Sequence, residues 1–217
     1  MTIYAYTGTP GSGKSLDASG RIWDALNRRE PKPVICNYDI NHKTRNYDKA
    51  FTYIPNSELS PERLIAFAND WWSTHKFHED GILLVVDEVQ LLHNSRNWSE
   101  KGRMGFLEFY SQSRHWGYEV IFICQSDKMI DRQFRALIEY EVKHRKLANF
   151  GLVGRILSLV AFGKLFCAIT MYYGLRERLS VRFFVPRKRI LTLYNSYDIF
   201  ERTDSSKMAA PLPDPTG

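Results

Sequence analysis

The chain of 217 residues has few cysteines, and their placement excludes two classes of protein. Cys36, Cys124 and Cys167 are scattered and odd in number, which argues against a disulfide framework and a cysteine zinc site. Two of them lie in apolar, strand-like runs, so we expect buried free thiols. The histidines also lack the spacing of a metal site with Cys or carboxylate partners, at His75, His78, His93 and His115. No nucleophile triad is visible.

The chain also lacks a long uncharged apolar run. Its N-terminus has no charged region followed by an apolar one, so no signal peptide is predicted. Within the apolar stretch 148–175, the longest uncharged run is 165–175, whereas a membrane-spanning helix needs about 20 residues. Two interpretations of this stretch stay open: buried core segments, or a hairpin on or in a membrane. The formal charge of +6 permits contact with nucleic acid or anionic lipid without deciding between them.

A glycine-rich motif lies close to the start of the chain. Its eight residues fit the pattern G-x-x-x-x-G-K-[ST], namely Gly8, Thr9, Pro10, Gly11, Ser12, Gly13, Lys14 and Ser15. A strand-like run precedes the motif and a helical pattern follows it, which is the context of a phosphate-binding loop. Lys14 is expected to reach the β- and γ-phosphates of a nucleotide, and the Ser15 hydroxyl is expected to coordinate Mg²⁺.

Two carboxylates follow the most apolar run of the chain. Residues 82–86 read Ile-Leu-Leu-Val-Val, which is typical of a buried parallel strand, and Asp87 and Glu88 come next. Since ligands bind at the carboxyl ends of such strands, we expect this pair near the phosphates. Asp87 is predicted to hold Mg²⁺ through its water shell, and Glu88 is predicted to polarise the water that attacks the γ-phosphate.

Two further polar residues flank the apolar run 118–124. Gln125 follows it, and we interpret this side chain as a sensor of the γ-phosphate, the alternative being a turn residue. Arg114 precedes the run and is the first choice for an arginine supplied to the nucleotide of a neighbouring subunit. Arg132 and Arg135 come after it as choices, and a plain surface arginine is the alternative at position 114.

The pattern of the elements predicts an α/β fold with a mostly parallel sheet flanked by helices. Strands are expected at 3–6, 33–37, 81–86 and 118–124, helices at 16–28, 60–75, 103–112 and 131–140, and a loop over 37–56. We divide the chain into a phosphate-loop core at 1–142, a β-rich or apolar extension at 143–200, and a proline-rich tail at 201–217, expected to be disordered.

Together these motifs resemble the zonular occludens toxin (Zot) family, which includes the gene I assembly proteins of filamentous phages. The likeness covers about residues 1–200. It rests on the phosphate loop, the strand end Val85 to Gln90, the segment Ser113 to Gly117, Gln125, and the residues Tyr194 to Asp198. The strand followed by Gln also resembles the wider FtsK–HerA class of ring-forming motors.

The resemblance implies an ATPase that uses ATP and Mg²⁺ to drive assembly and extrusion of a filamentous phage. Its implied partners are copies of itself, phage coat proteins, phage single-stranded DNA and other phage assembly proteins, at the cytoplasmic face of the bacterial inner membrane. Typical members continue into a membrane-spanning helix, whereas only 19 residues follow Asp198 here. A DNA-translocating motor of the FtsK–HerA class and a nucleotide-gated structural adaptor with little hydrolysis are the alternatives.

Overall fold

A computed structural model of the chain describes residues 2–41, 47, 50–92, 100–149 and 165–193. The strands of these ranges are β1 Thr2–Thr7, β2 Val34–Cys36, β3 Phe51–Tyr53, β4 Ile82–Val86, β5 Tyr118–Ile123, β6 Tyr140–Lys146, β7 Phe166–Tyr172 and β8 Arg178–Phe184. The helices are α1 Lys14–Leu26, α2 Pro61–Thr74, α3 Val89–Leu92, α4 Glu100–Ser111, α5 Arg132–Arg135 and α6 Lys188–Leu191.

The described strands form one sheet in the order β3-β2-β4-β5-β1-β6-β7-β8. All strand pairs between β3 and β6 in this order are parallel. Strands β7 and β8 form an antiparallel hairpin that extends the sheet beyond β6, with β7 antiparallel to β6. The carboxyl ends of β1, β2, β4, β5 and β6 therefore meet at one edge. At this edge β5 lies between β1, which leads into the glycine-rich motif, and β4, which leads into the two carboxylates.

Helices cover both faces of the parallel part of the sheet. On one face Ile22 of α1 packs with Val85 and Ile121 of the strands. On the other face Leu64 of α2 and Phe109 of α4 pack against the alternate strand residues. This arrangement confirms the predicted α/β class and explains the apolar runs at 82–86 and 118–124, because strands buried on both faces have no solvent side.

Local sequence signals account for where the main helices begin. The Ser60 hydroxyl accepts a hydrogen bond from the Arg63 amide at 3.3 Å, and Pro61 occupies the first position of α2. The first helix starts at Lys14, directly after Gly13 at φ 97°.

The three cysteines are free and buried, as expected.

Two expectations about the secondary structure were wrong in detail. The loop expected over 37–56 contains β3. The helix expected over 131–140 ends at Arg135, because Tyr140 already begins β6. The basic residues 143–146 belong to that strand.

The apolar stretch 148–175 is only partly described. Residues 166–172 form strand β7 within the main sheet, and residues 150–164 lie outside the described residues. Among the described helices, none has the length and apolar character needed to cross a membrane. The predicted tail at 201–217 and the segment 194–198 also lie outside the described residues.

Candidate functional site

The glycine-rich motif forms a loop between the carboxyl end of β1 and the start of α1. The Ser12 amide donates to the Thr9 carbonyl at 3.1 Å, closing a turn within the loop. Gly8 and Gly13 have φ of 145° and 97°, which side-chain-bearing residues rarely adopt. The loop thus leads directly into a helix N-terminus, where backbone N–H groups and the helix dipole favour an anion.

Lys14 folds back over this loop. Its Nζ donates to the carbonyl oxygens of Gly8 at 2.8 Å and Thr9 at 3.2 Å. Burial lowers the pKa of its ammonium group, although Asp87 and Glu88 act in the opposite direction. Phosphate oxygens are stronger partners for an ammonium group than neutral carbonyls, so a bound triphosphate would take over these contacts.

Asp87 lies beside Ser15 at the same edge of the sheet. The Ser15 hydroxyl donates to Asp87 Oδ2 at 3.3 Å, joining the start of α1 to the end of β4. Asn37, at the end of β2, braces Asp87 from the other side. Its side-chain oxygen accepts from the Asp87 amide at 2.7 Å, and its Nδ2 donates to the Asp87 carbonyl at 2.8 Å.

This pair fits a magnesium ion of the phosphate-loop type. Burial raises the pKa of Asp87 to about 6, despite the hydrogen bonds that the Glu88 amide and Ser15 donate to it. A buried carboxylate of this kind is relieved by a cation. No group of three or more His, Cys, Asp or Glu that could hold a metal occurs in the described part of the chain. Mg²⁺ suits such a site, since it takes one or two protein ligands and completes its shell with phosphates and water.

Glu88 is exposed and is held in position by hydrogen bonds with Asp87 and Gln90. Its backbone has φ 49°, and its amide donates to Asp87 Oδ1 at 2.8 Å. The Gln90 side chain, itself buried, donates from Nε2 to Glu88 Oε2. The carboxylate therefore stands at the edge of the sheet with one oxygen engaged, an arrangement that suits a base acting on a water molecule.

Gln125 follows β5, which lies between the strand that leads into the loop and the strand that leads into the two carboxylates. Its carbonyl accepts a hydrogen bond from the Gly8 amide at 3.2 Å, so the end of β5 is tied to the start of the loop. Its exposed side chain lines a cavity of about 490 Å³ together with Gly8 and Thr9. Cations of β6 line the far wall of this cavity, at Lys143, Arg145 and Lys146.

Arg114 lies at the opposite edge of the sheet. It belongs to the turn before β5, so the length of that strand separates it from Gln125. Its Nε forms an exposed ion pair with Glu79 Oε1 at 2.7 Å. The fold therefore keeps Arg114 away from the glycine-rich loop of the same chain. Arg132 and Arg135, the other two choices, lie on the short helix α5.

Sequence reasoning missed several residues that support the site. Asn37 could have been found by the rule that identified Asp87, since it also follows a parallel strand. Gln90 carries no local signal. Two contacts to the buried Asp17 of α1 also have no local signal in the sequence. His144 Nε2 of β6 lies 2.9 Å from Asp17 Oδ2, and Arg182 of β8 donates to Asp17 Oδ1 at 2.5 Å.

Comparisons with known proteins agree with this arrangement. The model of the family described as zonular occludens toxin (Zot) matches residues 2–198. The Gene 1 protein of Enterobacteria phage I2-2 is 31% identical over 175 residues, covering 76% of this chain and 46% of that protein. The Gene 1 protein of Enterobacteria phage M13 is 30% identical, covering 76% of this chain and 49% of that protein. The chain spans about half the length of these relatives.

Solved structures share the fold. The N-terminal domain of zonular occludens toxin from Neisseria meningitidis superposes with a TM-score of 0.52 at 16% identity, covering 89% of this chain and 98% of that one. B204, the DNA-packaging ATPase of Sulfolobus turreted icosahedral virus, gives a TM-score of 0.52 at 13% identity, covering 86% and 98%. Since the family model extends over most of the chain, the resemblance seen in the motifs is confirmed, and the chain belongs to the zonular occludens toxin (Zot) family.

Proposed function

We propose that this chain is an ATPase that binds ATP with Mg²⁺ and works as a homo-oligomeric motor in the assembly and extrusion of a filamentous phage. One observation carries the chemical part of the proposal: the Ser15–Asp87 contact at 3.3 Å, which joins the phosphate loop to the carboxylate strand. The biological part is supported by membership of the Zot family and by the similarity to phage Gene 1 proteins.

Each residue at the edge has a role in this proposal. The loop from Gly8 to Gly13 cradles the phosphates, and Lys14 contacts their terminal oxygens. Ser15 and Asp87 hold Mg²⁺, which supplies positive charge to the β- and γ-phosphates when bound. Gln125 orients the terminal phosphoryl group at the end of β5. Arg114 serves the nucleotide of a neighbouring subunit.

Hydrolysis proceeds by displacement at the γ-phosphorus. Glu88 accepts a proton from a water molecule, whose oxygen forms a bond to the γ-phosphorus while the bond from that phosphorus to the bridging oxygen breaks. ADP leaves with the bridging oxygen, and inorganic phosphate is the other product. The hydrogen bond from Gln90 favours this role over a structural adaptor, because an adaptor has no need of a positioned carboxylate.

The wider setting belongs to the same proposal. We expect the oligomer to be a ring at the cytoplasmic face of the host inner membrane, where it acts on coat proteins, phage single-stranded DNA and other assembly proteins. This part is supported by the family resemblance. The exposed position of Arg114, remote from its own loop, suits an oligomer in which sites are completed between subunits.

The test is nucleotide binding by Lys14→Ala protein, measured by isothermal titration with ATP and Mg²⁺. We expect affinity to fall at least about 100-fold, since the main charged contact to the phosphates is lost. Lys76→Ala, which removes an exposed lysine after α2, is the matched control and should bind as the wild type does. Unchanged ATP affinity in Lys14→Ala protein would refute the phosphate-loop assignment.

A further inference from the structure

The order of the strands determines the direction in which a nucleotide lies along the edge of the sheet. Asp87 and Glu88 end β4, Gln125 ends β5, and the phosphate loop follows β1. The terminal phosphate therefore faces the β4 side. Because the loop holds the phosphate chain in between, the nucleoside must extend the other way, toward β6, β7 and β8.

Two aromatic rings lie where the nucleoside would emerge. Phe166 begins β7 and Phe184 ends β8, and the antiparallel register pairs them directly. Phe166 also pairs with Lys146 at the end of β6, which places both rings at the carboxyl edge of the sheet. The rings are stacked with centroids 5.6 Å apart and planes inclined by 25°, and both residues are half-buried.

These rings touch the phosphate loop itself. A Cβ atom at Gly13 would lie 2.8 Å from Phe166 Cδ1 and 3.3 Å from Phe184 Cζ. The absence of a side chain at Gly13 is thus what lets the rings approach the N-terminus of α1. Among the described residues, the three atoms nearest that position all belong to these two rings.

The position of the rings is fixed relative to the loop helix. The Arg182 guanidinium lies 5.1 Å from the centre of the Phe184 ring and also forms an ion pair with Asp17 of α1 at 2.5 Å. The buried His144 lies 2.9 Å from Asp17 Oδ2, and its ring is T-shaped to the Phe184 ring with centroids 6.3 Å apart. A surface held in this way is preorganised, so a ligand stacked on it orders little of the protein.

We propose that Phe166 and Phe184 form the surface on which the base of the nucleotide stacks. This inference rests on the proposed ATPase function and adds the nucleoside subsite to it. Every base has a π-face, so stacking supplies affinity without reading hydrogen-bonding groups. The expected preference is for nucleoside triphosphates over inorganic tripolyphosphate, because the latter gains nothing from the rings.

The experiment compares ATP with inorganic tripolyphosphate, each with Mg²⁺, by isothermal titration. Phe166→Leu and Phe184→Leu should each weaken ATP binding about tenfold and leave tripolyphosphate affinity unchanged. Phe183→Leu is the matched control, since this neighbouring ring is exposed on the opposite face of β8 and should not affect either ligand. Phe166→Trp keeps an aromatic surface and should retain ATP affinity. The fluorescence that it adds to that of the five native tryptophans should be quenched by ATP but not by tripolyphosphate, with the wild type as the reference.

The outcomes separate this inference from the function beneath it. Loss of both ligands in Lys14→Ala protein, together with wild-type ATP affinity in the two leucine variants, would overturn the stacking surface alone. Equal weakening of ATP and tripolyphosphate in the leucine variants would overturn it too, because the rings would then only shape the loop. Unquenched Phe166→Trp fluorescence in the presence of saturating ATP also contradicts it. Wild-type ATP affinity in Lys14→Ala protein would remove the proposed function and this inference together.

Discussion

A side chain at Gly8 would place its Cβ 2.4 Å from the main-chain oxygen of His144. That oxygen belongs to β6, which pairs with β1 directly beside the loop, so it cannot move without disturbing the sheet. The start of the phosphate loop and the strand next to it are in closer contact than any other residue type at position 8 would allow. Gly11 differs, because a Cβ there would meet no atom of the described residues within 4 Å.

The contrast between these two glycines makes a prediction. Gly8→Ala should lower the free energy of unfolding by about 3 kcal/mol and abolish ATP binding, since the clash displaces backbone. Gly11→Ala should cost only about 1–2 kcal/mol, from its φ of 72°. Urea unfolding and ATP titration measure both effects. Equal stability of the two variants would contradict the close packing of β6 on the loop.

Asp87 gives the metal-free protein an unusual pH dependence. Its pKa is about 6 in the folded protein against 3.8 for an unperturbed carboxyl. Because the pKa is raised in the folded state, the protonated carboxyl contributes to the free energy of unfolding. This contribution is fully present below the unfolded-state pKa and is lost as the pH rises through 6. Asp87→Asn should therefore stabilise the protein in EDTA by about 2 kcal/mol at about pH 7.5, and by little at about pH 4.

Urea unfolding at both pH values measures this difference. Asp70→Asn, which alters an exposed carboxylate of α2, is the control and should show no such change. The same Asp87→Asn protein should fail to gain stability from ATP with Mg²⁺. A variant less stable than the wild type at the higher pH would show that the Ser15 and Asn37 contacts outweigh the cost of burying the charge.

Glu88 and Gln90 are expected to affect hydrolysis but not binding. Glu88→Gln keeps the shape of the side chain and removes the base, so turnover should fall by about 10²–10⁴ while ATP affinity stays within twofold. Gln90→Ala should lower turnover by about 10- to 100-fold, because the carboxylate loses its positioning contact. Steady-state ATPase assays and ATP titrations separate the two quantities. Normal turnover of Glu88→Gln protein would support the adaptor alternative.

Arg114 is expected to act between subunits. Arg114→Ala should bind ATP normally and hydrolyse it at least about tenfold more slowly. Mixing it with Lys14→Ala protein should restore part of the activity, since intact Arg114 from one subunit can serve the intact loop of another. Glu79→Ala, which breaks the surface ion pair and keeps the arginine, is the control and should remain active. If hydrolysis per subunit does not depend on protein concentration and the mixture shows no rescue, Arg114 does not act between subunits. Arg132 and Arg135 would then be the next residues to test for this role.

Features of the site that depend on residues near one another in the chain were predictable from the sequence. Contacts between residues that only folding brings together were not. The strand at 82–86, the loop and the Asp87–Glu88 pair each carry a local pattern that reflects burial on both faces of a sheet. The strand β6 was missed because Lys143, His144 and Arg145 suggest an exposed segment. His144 is nevertheless buried, since Asp17 accepts its hydrogen bond from 127 positions away. The hydrogen bond from Gln90 to Glu88 was also not predictable, because no periodic pattern in the sequence indicates it.

The insertion of β5 between β1 and β4 has a consequence for the product of the reaction. Neighbouring strands are about 4.8 Å apart, so about 10 Å separates the strand before the loop from the strand before Glu88. In the proposed complex, a triphosphate held by the loop extends toward Gln125 and Glu88, whereas a diphosphate ends short of them. In that complex the sheet distinguishes a triphosphate from a diphosphate, because cleavage of one phosphoryl group ends the contact with Gln125 and Glu88 while the loop after β1 still holds the diphosphate.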